Sequence, residues 1–261
     1  MPGTIFASDL DNTLLFSWKH AVEGDLCVEF LNGAPQGYLT GEAPSYLERI
    51  MRHALFVPVT SRSVEQYLRI QFPHRCRPRY AVAANGALLL TDGKIDPAWR
   101  EEFTQAVAPW QDALQAALEA LSALPQGKRC RIVDGMFAFA ACDNPQDALA
   151  LSGALEGVTP LQVSVTGRKV YLFPPPVNKG AAVQKLRRRL QADRVICAGD
   201  SVIDVPMLQQ ADVAILPDAA LLEGAQSSAQ VVCAPPGRFY DFVLQEALRR
   251  VSPQPCPNQT G

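Results

Sequence analysis

The sequence predicts an α/β protein, in which a doubly wound parallel sheet carries a small inserted α+β unit. Three observations support this fold class. Short continuous apolar runs end abruptly in polar residues, as strands buried on both faces of a parallel sheet do. Segments with helical patterning lie between these runs. Between residues 89 and 171 this alternation stops, and hairpin signals replace it.

The apolar runs and the segments between them give the predicted core elements. The predicted core strands are 4–8, 55–59, 80–83, 195–199, 213–216 and 231–233. The predicted core helices are 43–53, 63–71, 179–190, 204–210 and 238–250. Pro58 is unfavourable in a central strand, because proline has no N–H to donate to the ladder. We therefore expect a core domain formed by residues 1–88 and 172–261.

Residues 89–171 are predicted to form the inserted α+β cap domain. Asp92-Gly93 and Asp134-Gly135 are typical of hairpin turns. Apolar residues at helical spacing from 103 to 121 predict a helix that Pro109 kinks or divides. A second helix is expected near 145–155, followed by two strands separated by Gly167.

Composition and charge exclude several classes of protein. The 261 residues include 24 Lys and Arg against 26 Asp and Glu, so nothing favours binding to nucleic acid or to an anionic membrane. No apolar run reaches the roughly 18 residues that span a bilayer. The seven cysteines include no C-x-x-C pair, which favours reduced thiols in a cytoplasmic protein over a disulfide framework or a zinc site. We infer no obligate protein partner.

Polar residues at the strand ends are candidates for chemistry, because open α/β sheets bind ligands at the carboxyl ends of their strands. The candidates are Asp9, Asp11, Thr60, Asp200 and Asp204, together with Lys179 at the start of a helix. Carboxylates that converge at one point repel one another unless a cation is present, and hard oxygen ligands suit Mg²⁺. A divalent cation and a lysine beside an aspartate nucleophile suit phosphoryl transfer.

Four short polar segments follow predicted strands or begin a predicted helix, in this order along the chain: DLDNT (9–13), VTSR (59–62), NKG (178–180) and GDSVID (199–204). Together they resemble the four motifs of the haloacid dehalogenase superfamily. The ANGA turn (84–87) and the insertion between the second and third motifs resemble its type IIB branch, which includes Cof-type and sucrose-phosphatase-like enzymes. The resemblance covers essentially the whole chain. It implies a Rossmann-like core with a cap domain, and Mg²⁺-dependent hydrolysis of a small-molecule phosphate ester such as a sugar phosphate.

The resemblance also implies roles for single residues. Asp9 would be the nucleophile that forms an aspartyl-phosphate, and Asp11 would act as acid and then as base. Mg²⁺ would be bound by Asp9, Asp200 and the backbone carbonyl of Asp11, and by Asp204 either directly or through water. The expected phosphate-binding residues are Thr60, Ser61, Arg62, Asn85, Asn178 and Lys179, of which Thr60 and Lys179 are also expected to take part in catalysis.

Some features depart from the family pattern and leave alternatives open. Ile203 stands where relatives commonly have Asn, and isoleucine cannot donate a hydrogen bond. The alternative functions are a phosphomutase of the phosphomannomutase kind and a catalytically weakened protein that binds a phosphate ligand. The extra length between the first two motifs, at 23–41, predicts a hairpin flap over the site. Arg131, Arg168 and Lys169 of the cap either bind a substrate anion or keep strand edges soluble, and solubility is the favoured interpretation.

Overall fold

In the computed structural model, residues 3–252 are described, and they form fifteen strands and eight α-helices. The strands are β1 (Thr4–Ser8), β2 (Phe16–Ser17), β3 (Leu26–Leu31), β4 (Ala34–Leu39), β5 (Leu55–Pro58), β6 (Tyr80–Ala83), β7 (Leu88–Thr91), β8 (Lys94–Ile95), β9 (Lys128–Val133), β10 (Phe137–Ala141), β11 (Gln162–Thr166), β12 (Lys169–Phe173), β13 (Arg194–Ala198), β14 (Val213–Leu216) and β15 (Gln230–Cys233). The helices are α1 (Ala43–Met51), α2 (Val64–Leu68), α3 (Pro97–Val107), α4 (Gln111–Ala123), α5 (Pro145–Leu155), α6 (Lys179–Leu190), α7 (Val205–Leu208) and α8 (Phe239–Val251).

The core is a five-stranded parallel sheet in the order β15-β14-β13-β1-β5. Successive side chains of β1 face opposite ways, so Ile5 packs in one apolar cluster and Phe6 in a second. Residues of α6 belong to the first cluster, and residues of α1 and α8 belong to the second. Helices therefore cover both faces, which confirms the predicted doubly wound α/β core. The strand order reverses at β1, the position where such sheets bind ligands.

One predicted core strand lies in a different sheet. We expected 80–83 in the parallel sheet, but β6 pairs antiparallel with β7, and β7 pairs with β8. The amide of Val59 donates to Ser8 of β1 and that of Thr60 donates to Val82 of β6, so Pro58 faces β6. Because Pro58 has no N–H, β5 and β6 are joined only through a Val59–Val82 bridge among the described pairs.

Two further antiparallel sheets lie above the carboxyl edge of the core. The hairpin of β3 and β4, with β2 beside it, forms the flap that the extra residues at 23–41 predict, and its turn uses Asn32-Gly33 at positive φ. The other sheet has the order β11-β12-β10-β9, and α4 and α5 pack on one of its faces. Between α3 and α4 the chain forms a 3-10 turn that contains Pro109, as predicted.

The predicted domain limits fall inside strands. The limit after residue 88 lies within β7, and the limit after residue 171 lies within β12. The division into 1–88 with 172–261 and 89–171 therefore stays a prediction. The six cysteines among residues 3–252 are free. Within the same residues, no helix combines the length and the apolar character needed to cross a bilayer.

Gly180 gives a test of the packing between α6 and α7. A Cβ at this position would overlap the backbone carbonyl of Pro206, whereas a Cβ at Gly153 in α5 would meet nothing within 4 Å. Alanine is favoured over glycine inside helices by about 1 kcal/mol. We expect Gly153→Ala to raise the free energy of unfolding by about 0.5–1 kcal/mol. We expect Gly180→Ala to lower it by about 1–3 kcal/mol, measured by urea denaturation. Equal effects of the two substitutions would contradict this packing.

Candidate active site

The predicted site residues meet where the sheet reverses direction. Asp9 directly follows β1, and Asp200 follows the adjacent strand β13 after Gly199. Asp204 ends the 3-10 turn Val202–Asp204 that comes after Asp200. Carboxylate oxygens of Asp9, Asp200 and Asp204 lie within 4.8 Å of one another. The structure thus brings together three of the four carboxylates that the sequence placed at one point.

Lys179 joins two of these carboxylates. It is the first residue of α6 and is completely buried, and its Nζ donates to Oδ1 of Asp9 at 2.5 Å and to Oδ1 of Asp204 at 2.6 Å. Burial alone would lower the pKa of Lys179, but Asp204 and Asp9 outweigh it and raise that pKa. No hydrogen bond to Oδ2 of Asp9 is found among the described residues, so this oxygen is free to react.

Asp204 and Asp200 are held by short local contacts. Oδ2 of Asp204 accepts from the amides of Asp200 and Ser201, at 3.1 and 3.0 Å, and from the Ser201 hydroxyl at 3.0 Å. The hydroxyl of Thr13 donates to Oδ1 of Asp200 at 2.9 Å. Ile203 is 8% exposed and packs in the first apolar cluster. The hydrogen bonds that fix this turn therefore come from Ser201 and the backbone, and Ile203 leaves them intact.

The cluster carries more negative than positive charge. Burial raises the pKa of Asp9 well above its usual value, and Asp204 and Asp200 add to the rise against the effect of Lys179. Burial and the charge of Asp204 raise the pKa of Asp200 to about 6. Three carboxylates face one ammonium, so a divalent cation would balance the charge, and the all-oxygen donor set fits Mg²⁺.

Asp11 points away from this cluster toward an arginine of the second motif. Arg62 donates two hydrogen bonds to it, from Nε to Oδ2 at 3.1 Å and from Nη2 to Oδ1 at 2.8 Å. Burial favours the neutral form of Asp11, but Arg62 outweighs burial and lowers its pKa far below the usual range. Nη1 of Arg62 also donates to Oε2 of Glu29 in the flap, at 2.9 Å, and Glu29 in turn binds Arg69.

A cavity of about 860 Å³ lies between the core loops, the flap and the four-stranded sheet. From the core, Asp11, Ser61 and Arg62 line it, whereas Asp9 is 5% exposed and is not part of the lining. A volume of this order suits a ligand of sugar size. The cavity therefore ends at Asp11, two residues from Asp9, and the three clustered carboxylates lie behind its lining.

The other expected phosphate-binding residues lie around this point in different ways. Thr60 is completely buried, and its hydroxyl accepts from the amide of Arg62 at 3.2 Å. Asn85 and Asn178 do not line the cavity. Nδ2 of Asn85 donates to the carbonyl of Val177 at 3.2 Å, and Asn178 accepts from the amide of Ala181 at 2.8 Å to cap α6. Both asparagines thus hold the start of α6, and with it Lys179, in place.

Several residues of the site were missed by the sequence reasoning. Thr13 belongs to the first motif, so its spacing from Asp9 was a usable signal. Glu29 and Arg69 carry no local signal, because their contact with Arg62 exists only when the flap folds back over the second motif. Tyr171 lines the cavity from β12, on the same face as Lys169, which the sequence had already marked as a candidate for binding an anion. The sequence shows that these two residues, two positions apart on one strand, share a face of the sheet, but it does not show that this face is turned to the cavity.

Comparison with known proteins gives one family match over part of the chain and several similar folds. Residues 135–220 match the model of the haloacid dehalogenase-like hydrolases. A search of curated proteins finds no match. The sucrose-phosphatase of Synechocystis sp. PCC6803 is similar over 96% of this chain and 98% of its own, with a TM-score of 0.63 and 18% identity.

Two other solved structures show the same likeness. A haloacid dehalogenase-like hydrolase from B. subtilis is 16% identical over 93% of this chain and 98% of its own, with a TM-score of 0.59. The C-terminal domain of the C. albicans trehalose-6-phosphate phosphatase is 13% identical over 95% of this chain and 91% of its own, also with a TM-score of 0.59. At these identities the likeness is one of fold. The family-model match supports the resemblance to haloacid dehalogenase-like hydrolases that the four motifs predict, and the solved structures show a shared fold.

Proposed function

We propose that the protein is a Mg²⁺-dependent phosphatase that hydrolyses a small phosphate monoester, such as a sugar phosphate, through an aspartyl-phosphate. The observation that carries this proposal is the buried Asp9–Lys179–Asp204 arrangement, which lies with Asp200 beside a cavity of sugar size. Two similar folds support the substrate class, since one is a sucrose-phosphatase bound to sucrose and phosphate and another is a trehalose-6-phosphate phosphatase. The free cysteines support a cytoplasmic location.

In the first step, Oδ2 of Asp9 attacks the phosphorus of the ester. A bond forms between this oxygen and phosphorus, the bond from phosphorus to the alcohol oxygen breaks, and Asp11 supplies the proton that the departing alcohol takes. Lys179 binds the other oxygen of Asp9, which leaves Oδ2 for the attack. Thr60, Ser61 and Arg62 of the second motif hold the phosphoryl oxygens, whose charge is spread in the transition state.

In the second step, water attacks the phosphorus of the aspartyl-phosphate. Asp11 takes a proton from this water, the bond between phosphorus and Asp9 breaks, and inorganic phosphate leaves with the carboxylate of Asp9 restored. An ionised Asp11 is a suitable base for this step. For the first step Asp11 must carry a proton, so Arg62 has to release it. We infer that the phosphoryl group of the bound ester draws Arg62 away from Asp11.

Asp9, Asp200 and Asp204 would hold Mg²⁺, together with the backbone carbonyl of Asp11. When bound, Mg²⁺ neutralises part of the carboxylate charge and polarises the phosphoryl group. Asp200 is positioned for this role by Thr13, and Asp204 by Ser201.

Removal of the nucleophile is the first test. We expect Asp9→Asn to abolish phosphate release from p-nitrophenyl phosphate, because an amide cannot attack phosphorus and be regenerated as a carboxylate. EDTA should abolish release by the wild type, and Mg²⁺ should restore it. The matched control is Asp112→Asn, an exposed aspartate of α4, which should leave the rate unchanged.

Two results would contradict the proposed chemistry. Substantial phosphate release by Asp9→Asn would rule out the covalent mechanism. Binding of phosphate esters by the wild type, with no release at any Mg²⁺ concentration, would favour the catalytically weakened binding protein.

The raised pKa of Asp200 predicts a pH dependence of stability without metal. Its pKa rises from 3.8 to about 6 on folding, so between these values the folded protein binds more protons than the unfolded chain. The free energy of unfolding in EDTA should therefore fall as the pH rises from about 4 to about 6. After allowance for solvent screening, we expect this group to contribute a loss of about 2 kcal/mol. Asp200→Asn should lack this loss, as measured by urea denaturation.

The same variant tests the metal. Mg²⁺ at pH 7 should stabilise the wild type and Asp112→Asn, and stabilise Asp200→Asn much less, because ligand binding stabilises only when affinity is retained. The pH prediction has its own contrary outcome. If, in EDTA, the free energies of unfolding of the wild type and Asp200→Asn differ by the same amount at pH 4 and at pH 7, Asp200 does not titrate as described.

Arg62 and Arg69 form a matched pair of arginines, since both line the cavity and both bind Glu29, but only Arg62 binds Asp11. We expect Arg62→Gln to lower kcat/KM by roughly 100-fold or more, as the loss of a group that stabilises transition-state charge does. Arg69→Gln should lower it less than about 10-fold. Equal losses in steady-state assays would mean that Arg62 acts only through the flap.

A further inference from the structure

One face of the four-stranded sheet is turned toward the cavity. Across the strands, Phe139 of β10 lies opposite Arg131 of β9 and opposite Tyr171 of β12. Lys169, two residues before Tyr171, lies opposite Thr166 of β11. All five of these residues line the cavity. The alternate residues, including Ala138, Ala140, Val170 and Leu172, are buried in the cluster that α4 and α5 complete.

This face is rich in unpaired positive charge. Arg131 and Lys169, with Arg129 and Arg168, line the cavity, and none of them forms an ion pair with an acidic side chain among residues 3–252. The acidic groups of the cavity, Asp11 and Glu29, are already bound to Arg62 and Arg69. The cavity therefore holds more cations than one phosphoryl group requires, in a protein of net charge -2.

The placement of these cations argues against the interpretation as soluble strand edges. Lys169 is on β12, a central strand of this sheet, and Arg131 is on the edge strand β9 but on its cavity face. The guanidinium of Arg131 stacks on the ring of Phe139, 4.8 Å from its centre. Stacking fixes the plane of the guanidinium and leaves its N–H edges free for an anion. The hydroxyl of Thr166 is buried without a partner.

The two cations mark opposite ends of the face. Lys169 lines the cavity together with Asp11. Tyr171 raises the pKa of Lys169 against the effect of burial, and the carboxylates of Asp11 and Asp9 are close enough to add to the rise. Arg131 is two strands away from it, across β10, which separates their backbones by roughly 10 Å. Phe139 and Tyr171 lie between these positions. The two cations therefore leave room between them for a ligand that carries an anion at each end.

We propose that the leaving group of the substrate carries a second anion, a carboxylate or a second phosphate, and that Arg131 binds it while the aromatic rings contact the carbon chain. The inference rests on the proposed phosphatase function and narrows its substrate class to doubly anionic esters. Lys169 lies at the reaction end and attracts the ester phosphate.

The test compares substrates that differ only in the second anion. The pair 6-phosphogluconate and sorbitol 6-phosphate differs in a carboxylate against a hydroxymethyl group, and the pair fructose 1,6-bisphosphate and fructose 6-phosphate differs in a phosphate. We expect kcat/KM to be at least about 10-fold higher for the doubly anionic member of one pair, the gain of a charge-assisted hydrogen bond. The pair that shows the preference identifies the anion.

Variants assign the effect to the residue. Arg131→Gln should reduce the preference to about one by raising KM for the doubly anionic ester, and Arg131→Lys should restore part of it. The control Arg188→Gln removes an exposed arginine of α6 and should keep the preference. Calorimetric binding of the same esters to Asp9→Asn should show the same ratio of affinities without turnover.

The outcomes separate the two proposals. Absence of phosphate release from every ester, p-nitrophenyl phosphate included, would overturn the proposed function. Release with no preference in either pair would overturn the second-anion site and leave the phosphatase standing. An equal loss for both members of a pair in Arg131→Gln would mean that Arg131 only adds to the positive potential of the cavity, and would also overturn the site.

Discussion

The buried ammonium of Lys179 is the interaction on which the site depends. It binds Asp9 after β1 and Asp204 after β13, so it fixes two neighbouring strand ends to the start of α6. Charges buried in this way are costly unless each has a partner in good geometry. Two glycines allow the backbone segments around Lys179 to pack closely enough for this geometry. Gly180 allows α6 to contact Pro206, and Gly86, at positive φ, lies against the carbonyl of Asn178.

The same arrangement supports the chemistry proposed for the site. One ammonium cannot neutralise Asp9, Asp200 and Asp204, so the pKa values of Asp9 and Asp200 are raised. A divalent cation would balance the charge of this cluster, and the hydrogen bond from Lys179 to Oδ1 of Asp9 leaves Oδ2 free. Asp11, although two residues from Asp9, escapes the repulsion because Arg62 binds it with two hydrogen bonds. The pKa of Asp9 is thus raised and that of Asp11 lowered, as the different roles proposed for these two aspartates require.

The sequence predicts the features whose signals lie in neighbouring residues, and it does not predict contacts between distant segments. The β1 and β13 runs, the Pro109 break and the Asp134-Gly135 turn depend on neighbouring residues, and all of them are present. The contact of Glu29 with Arg62 joins residues 33 positions apart, and no pattern of either segment indicates it. The predicted place of β6 in the parallel sheet holds only for the parallel Val59–Val82 bridge, for a related reason. The proline that weakens its pairing lies on β5, and its effect depends on which side of that strand faces β6.

The cationic face of the cap shows the limit of what the alternation of side chains along a strand can predict. In β9 the sequence places Arg129, Arg131 and Val133 on one face, but it does not say which face a helix covers. Solubility was therefore a reasonable interpretation of these arginines. Because α4 and α5 bury the other face, the arginines are turned to the cavity, where no acidic side chain among residues 3–252 neutralises them. Arg62 differs, since Asp11 and Glu29 already satisfy its charge. Arginines without an acidic partner therefore lie in the same cavity as Arg62, which has two such partners. This contrast implies that the ligand supplies the negative charge that balances the unpaired arginines.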